Sequence, residues 1–180
     1  MTSDTALAPE VHDIAGTRWR IDPSDSRVEF QVPHFYGLMT VKGHFDDYEG
    51  FLDLSSNPAV ELTIDAASLD TGNAKRDAHL RSEEFFDIAA HPQVRFIAAS
   101  AALDGESLHV AGELVAAGAT VPLELVATLR RLDGELEVQA TTTVDHRRLG
   151  MNWSPMGIMR APSKLIVTGR LVPDDKEGLS

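Results

Sequence analysis

The chain has no cysteine among its 180 residues. That excludes disulfides, thiolate metal sites and thiol nucleophiles at once, and it fits a reducing compartment. Positive charge is scarce: 16 Lys and Arg against 28 Asp and Glu leave a formal net charge of −12. No Lys/Arg-rich run interrupts that excess, so a polyanion is repelled over most of the surface and nucleic acid is not an expected partner. No apolar run approaches the roughly 18 residues of a helical membrane span, and stable membrane insertion is not expected. The first residues, MTSDTALAPEVHDIAGT, offer acids where a secretory leader has a basic segment. A cytoplasmic location is the expectation.

Composition is that of a folded chain, with 43% hydrophobic and 24% charged residues. One domain fits the length. The division expected is a flexible segment at 1–16, a folded domain at 17–173 and a tail at 174–180.

Within that domain, apolar residues recur at every second position. Val28, Phe30 and Val32 alternate with Arg27, Glu29 and Gln31, and Val60, Leu62 and Ile64 with Glu61, Thr63 and Asp65, the pattern of strands with one buried face. Further strands are expected at about 17–22, 39–54, 93–103, 107–117, 120–131, 135–148 and 162–172, separated by turn signals at Asp22-Pro23-Ser24, Asp104-Gly105, Ala117-Gly118-Ala119 and Asp133-Gly134. Eight or more strands joined by short turns make an antiparallel sandwich or a closed barrel. Long strands interrupted by Gly43, Gly50 and Gly112 favour the barrel.

The stretch SLDTGNAKRDAHLRSEEFFD, residues 68–87, departs from this alternation. Asn73 is placed to cap a short helix over Ala74 to Arg81. The paired rings of Phe85 and Phe86 close a segment otherwise dense in charge. Such an insert lies most economically across one barrel end, with Leu80, Phe85 and Phe86 turned inward. Asp70, Arg76, Asp77 and Arg81 then either fix its shape by capping and ion pairing, or Arg76, His79 and Arg81 meet a ligand head group as part of a gate.

Parity carries two histidines toward the same interior. His34 continues the face of Val28, Phe30 and Val32, and His146 continues that of Leu136, Val138, Ala140, Thr142 and Val144. Each is either a head-group contact or a partly buried histidine bonded within the protein. The seven histidines form no HxH or HExxH spacing, so no metal and no cofactor are expected. Nucleophile elbow, phosphate loop and helix-borne metal motif are all absent from the sequence, and an enzyme is not expected. Met151, Trp153, Met156, Ile158 and Met159 form a soft apolar cluster suited to a lipid tail or to a partner chain.

Several ordered motifs resemble one family. Trp19-Arg20-Ile21-Asp22-Pro23 with Ser26, Val28 and Phe30 looks like its opening hairpin, followed by His34, Val41-Lys42-Gly43-His44-Phe45 and Gly50. Ala67 to Asn73, Arg76-Asp77, His79-Leu80-Arg81-Ser82 and Phe85-Phe86-Asp87 look like its most recognisable signature, with His91-Pro92 and Phe96 after it. Val110, Gly112-Glu113-Leu114 and Gly118 to Pro122 complete the match. On these residues the chain resembles the YceI-like family of polyisoprenoid-binding, lipocalin-like proteins over about residues 18–172. One segment departs: Val144-Asp145-His146-Arg147-Arg148-Leu149-Gly150 lacks an acid and an aromatic of the family pattern.

The resemblance implies an all-β fold, an extended eight-stranded antiparallel lipocalin-like barrel with one short helical insert around residues 68–87. It implies a binder rather than an enzyme, with a long isoprenoid lipid, a polyprenyl lipid or an isoprenoid quinone, carried or sequestered in the bore. The residues expected against that ligand are Phe30, Val32, His34, Phe45, Arg76, His79, Leu80, Phe85, Phe86, Phe96, His146, Met151 and Trp153. Many relatives are periplasmic, a location this sequence is not expected to share. The rival readings are a protein-interaction module with a filled barrel, in which a homodimer is one candidate assembly, and an enzyme acting on an isoprenoid or other amphiphilic substrate.

Overall fold

Alternating apolar positions build strands β1 (Arg18–His34), β2 (Met39–Phe45), β3 (Tyr48–Asp53), β4 (Ala59–Asp65), β5 (Leu69–Asp70), β6 (Gln93–Asp104), β7 (Ser107–Ala116), β8 (Ala119–Leu132), β9 (Glu135–Val144) and β10 (Ser163–Pro173), with one α-helix among the described residues, α1 (Ala74–Arg81). The computed structural model describes residues 14–34, 39–151 and 162–174, with His34 described in its backbone only.

All neighbouring strands are antiparallel, and β10 returns to pair with β1, closing the sheet. On its other side β1 bonds β3 through Arg18–Arg20 and β2 through Val28–His34, so β2 and β3 together fill one position in the ring. With the two-residue β5 lying outside that ring against β2, the barrel has eight strand positions. This is the expected architecture. Tight two-residue turns join several pairs; at Asp133-Gly134 both residues have positive φ, 45° and 86°, as a hairpin of matched twist requires.

Two boundaries differ from the sequence reading. The turn, or opening hairpin, expected at Asp22-Pro23-Ser24 is instead a bulge inside one continuous β1. Asp22 Oδ1 accepts from Ser24 N at 3.0 Å and from Ser24 Oγ at 2.7 Å, and the register against β10 shifts between Asp22 and Arg27. Proline is tolerated there because a bulge frees it from donating to the ladder. The single strand expected over 39–54 breaks at Asp46 and Asp47, whose amides are taken by Ser68 O and Ser68 Oγ. That break lets one β strand position bend around the barrel.

The end at which β1 begins is filled. Trp19, Leu129 and Leu136 are 1%, 2% and 0% exposed there, and a 3-10 turn over Ile14–Gly16 adds Ile14, whose carbonyl accepts from Trp19 Nε1 at 3.3 Å. At the other end the connection from β4 to β6 folds over the barrel. Asn73 caps α1 as expected, accepting from Arg76 N at 3.0 Å. Buried Asp77 accepts from Thr71 N at 3.0 Å and from the Thr71 hydroxyl. Arg76 returns two bonds to Thr71, and Arg81 reaches Ala67 O at 3.0 Å and Leu69 O at 2.7 Å. Bonds to backbone and hydroxyl groups thus shape the insert where ion pairing was one expectation.

Two stability outcomes are expected. Gly169 lies in the β1–β10 seam at φ 155°, where an added Cβ would stand 2.0 Å from Ser26 Oγ; Gly169→Ala should cost about 1–3 kcal/mol of unfolding free energy in urea, as overpacking does. Asp77→Ala strips Thr71 of its acceptor inside the insert and should cost about 1–3 kcal/mol in the same measurement.

Candidate functional site

The inward parity of β1 and β2 meets the insert at the end opposite Trp19. Phe30 stands across from Gly43, and a Cβ at position 43 would lie 2.3 Å from the ring carbon Cζ. Glycine here makes room for the ring. Phe30 and Phe45 lie 5.2 Å apart at 46°, and Phe86 meets Phe45 edge-on at 5.9 Å and 86°. Phe85 stands edge-on to the His79 imidazole at 5.1 Å and 87°, while His79 Nε2 lies 2.5 Å from Glu84 Oε2. Four phenylalanines from two barrel strands and the insert therefore converge.

They surround a cavity of about 180 Å³. Among the residues expected against a ligand, Phe30, Val32, Phe45, Arg76, His79, Leu80, Phe85, Phe86, His146 and Met151 line it. Phe96 does not: it is 8% exposed and part of the barrel core. Its parity is inward, and it pairs with Leu62 of β4 and Leu114 of β7. Trp153, with Met156, Ile158 and Met159, and the side chain of His34 lie outside the described residues. Arg81 is held by the backbone carbonyls of the insert and is not in the cavity lining.

Sequence reasoning missed further walls. Val41 on β2, Ile64 on β4, Val94 on β6, Leu114 and Ala116 on β7 and Leu165 on β10 are also in the lining. Parity alone could have found each inward face, but not its height along the barrel. Leu149, at the motif that departs from the family pattern, lines the cavity as well.

The strand expected to run to 148 stops at Val144, and a 3-10 turn over His146–Leu149 follows, capped by Asp145, which accepts from Arg147 N at 3.1 Å. Hydrogen bonds from the Arg147 side chain hold the Asp145 carboxyl below the usual carboxylate range, so the cap is anionic near neutral pH, as N-capping favours. The turn swings His146 into the wall, 6% exposed, with Nδ1 3.0 Å from Ser163 Oγ at the start of β10. Among the described residues, no carboxylate lines the cavity and Arg76 is its single arginine.

Away from the cavity, His44, Asp46 and Asp70 hold ligand-type atoms within 4.8 Å of one another. Their grouping follows from the His44–Asp46 pair at 3.2 Å and from the β2–β5 pairing, which sets His44 opposite Asp70.

What the arrangement offers chemically is a small apolar chamber with a few polar atoms in its walls, built for enclosure of a guest. Comparison with known proteins agrees on the architecture. Protein YceI of Escherichia coli O157:H7 is 40% identical over 106 residues, 57% of this chain and 55% of that protein; the chain thus spans about half the length of the curated relatives it matches. The crystal structure of Burkholderia cenocepacia BcnA superposes with a TM-score of 0.75 at 16% identity, covering 83% of this chain and 98% of that one. A polyisoprenoid binding domain from Saccharophagus degradans, implicated in plant cell wall breakdown, superposes at 0.70 with 14% identity, covering 88% and 99%. Both likenesses concern the fold. The YceI-like domain matches residues 19–171, and on that match, with the closed barrel and its helical insert, the chain belongs to the YceI-like family.

Proposed function

We propose that the protein binds a long-chain isoprenoid lipid, a polyprenyl lipid or an isoprenoid quinone, and carries or sequesters it with one end enclosed in the barrel. The observation that carries this reading is the cavity walled by Phe30, Phe45, Phe85 and Phe86 at the end opposite the filled core. The binding domain of Saccharophagus degradans, similar in fold, supports the same class of ligand.

Size sharpens it. A cavity of about 180 Å³ is on the scale of one that admits a benzene-sized guest, so it encloses one end of such a lipid and leaves most of the chain outside. At about 0.8 kcal/mol per buried CH₂, five buried carbons contribute roughly 4 kcal/mol, at the low limit of what association costs. Tight retention therefore requires more of the chain to lie against the rim, where Val32, Val41 and Leu165 are only half-buried. The mechanism is burial, with no bond made or broken.

Native mass spectrometry of the protein purified without detergent, followed by lipid extraction, is the direct check. An isoprenoid lipid should co-purify. Repeated purification without lipid, together with no binding to quinone and polyprenol panels, would sink the proposal. Ala116→Leu, which adds three carbons at a wall position, should weaken lipid binding at least tenfold while leaving the unfolding midpoint unchanged or higher. Phe86→Ala, at a half-buried rim ring, should lower lipid retention at smaller cost to stability than Phe85→Ala, which removes a buried ring and should cost about 3–5 kcal/mol.

A further inference from the structure

The polar atoms of the cavity wall are few, and two of them are paired. Ser163 and His146 are 9% and 6% exposed, both line the cavity, and Ser163 Oγ lies 3.0 Å from His146 Nδ1. Ser163 begins β10 opposite Val144, at the height of Val32 and Val41 near the barrel end.

A serine hydroxyl has one proton to donate and two lone pairs. If His146 Nδ1 accepts that proton, the lone pairs of Ser163 still face the cavity and fit a ligand hydroxyl. If Nδ1 carries a proton and donates it to Ser163 Oγ, the serine proton turns to the cavity and fits a ligand carbonyl. In either tautomer of the imidazole, Ser163 can bond one ligand oxygen. A hydrocarbon end placed there would bury that hydroxyl without its second partner, which costs free energy.

A diphosphate meets a different obstacle. Arg76, the single arginine among the described residues of the lining, already donates Nε to Thr71 Oγ1 and Nη2 to Thr71 O, both at 2.8 Å. Two or three negative charges would enter an apolar chamber, inside a chain of net charge −12, with little to repay their lost hydration.

Resting on the carrier reading above, we infer that the lipid enters head first: a neutral head bearing a hydroxyl or carbonyl oxygen sits in the cavity and bonds Ser163, while the isoprenoid tail leaves through the mouth. The class selected is the isoprenoid alcohol or quinone, and the isoprenoid diphosphate is disfavoured. The volume of about 180 Å³ accommodates a single six-membered ring, and it excludes a full-length tail.

The test uses the full chain, stripped of lipid, and four probes: a polyprenol, its diphosphate of the same chain length, an isoprenoid quinone, and squalene as an oxygen-free hydrocarbon. Binding is measured by native mass spectrometry and isothermal titration. Polyprenol and quinone should bind at least tenfold more tightly than diphosphate or squalene, and Ser163→Ala should reduce their advantage over squalene to threefold or less. The carbonyl stretch of bound quinone should shift to lower frequency in the infrared, and Ser163→Ala should abolish the shift; the wild-type spectrum keeps the inference testable even where the variant folds poorly. Diphosphate binding as tightly as alcohol, squalene binding as tightly as quinone, or an unshifted carbonyl in wild type overturns the head-first assignment while the carrier reading stands. Binding of none of the four overturns both.

Discussion

The antiparallel seam between β1 and β10 is the interaction on which the rest depends. It runs from Trp19 opposite Pro173 to Gln31 opposite Lys164 and joins the last strand of the sheet to the first. Only a closed sheet has an inside, so the core, the cavity and its wall all depend on this pairing. The seam is not uniform. The register shifts between Asp22 and Arg27, and Ser26 Oγ takes the space beside Gly169 and accepts the Arg170 amide at 3.1 Å. A bulge of this kind increases local twist, which helps one seventeen-residue strand serve both β3 and β2.

Closure alone would give a filled barrel, since about eight strands leave an interior just wide enough for side chains. The protein uses that property at one end, where Trp19, Leu129 and Leu136 leave no room. At the other end the ring is interrupted, because β2 pairs outward only with two-residue β5 and the insert over residues 66–92 takes up the space. The insert keeps its shape through bonds that do not depend on the barrel: Asn73 on Arg76, Asp77 on Thr71, Arg81 on the carbonyls of Ala67 and Leu69. A self-supporting segment can hold Phe85 and Phe86 against Phe30 and Phe45 of the barrel and leave a void between them. That division of labour, a packed end for stability and a propped end with a cavity, suits the proposed binding of a lipid.

Much of this was legible in the residues, and the exceptions are informative. Period-two alternation marked nearly every strand, because a half-buried strand has no other way to satisfy both its faces. Asn73 and the aromatic ending at Phe85 and Phe86 marked the insert and its inward side. The Asp22-Pro23-Ser24 signal misled, because an aspartate bonding two residues ahead looks the same in a turn and in a bulge. Phe96 is inward by parity and yet outside the cavity lining, because parity reports the face a residue is on and not whether its side chain reaches a void. Ser163 went unnoticed, since a lone serine at the start of a strand carries no pattern. It became visible only when the turn over His146–Leu149 brought His146 to it across seventeen positions.

The sequence by itself determined the all-β class, the antiparallel order, the short helix with its cap and the absence of any cysteine chemistry, because each of these rests on local rules of periodicity, turn geometry and composition. Tertiary structure alone decided that the barrel closes through one bulged seam, that one end is solid and the other hollow to about 180 Å³, and that Ser163 pairs with His146 in the hollow wall. The physical reason is separation along the chain. Periodicity reads neighbours two or four residues apart, whereas a cavity is set by how side chains from distant strands fill, or fail to fill, the same height of the barrel.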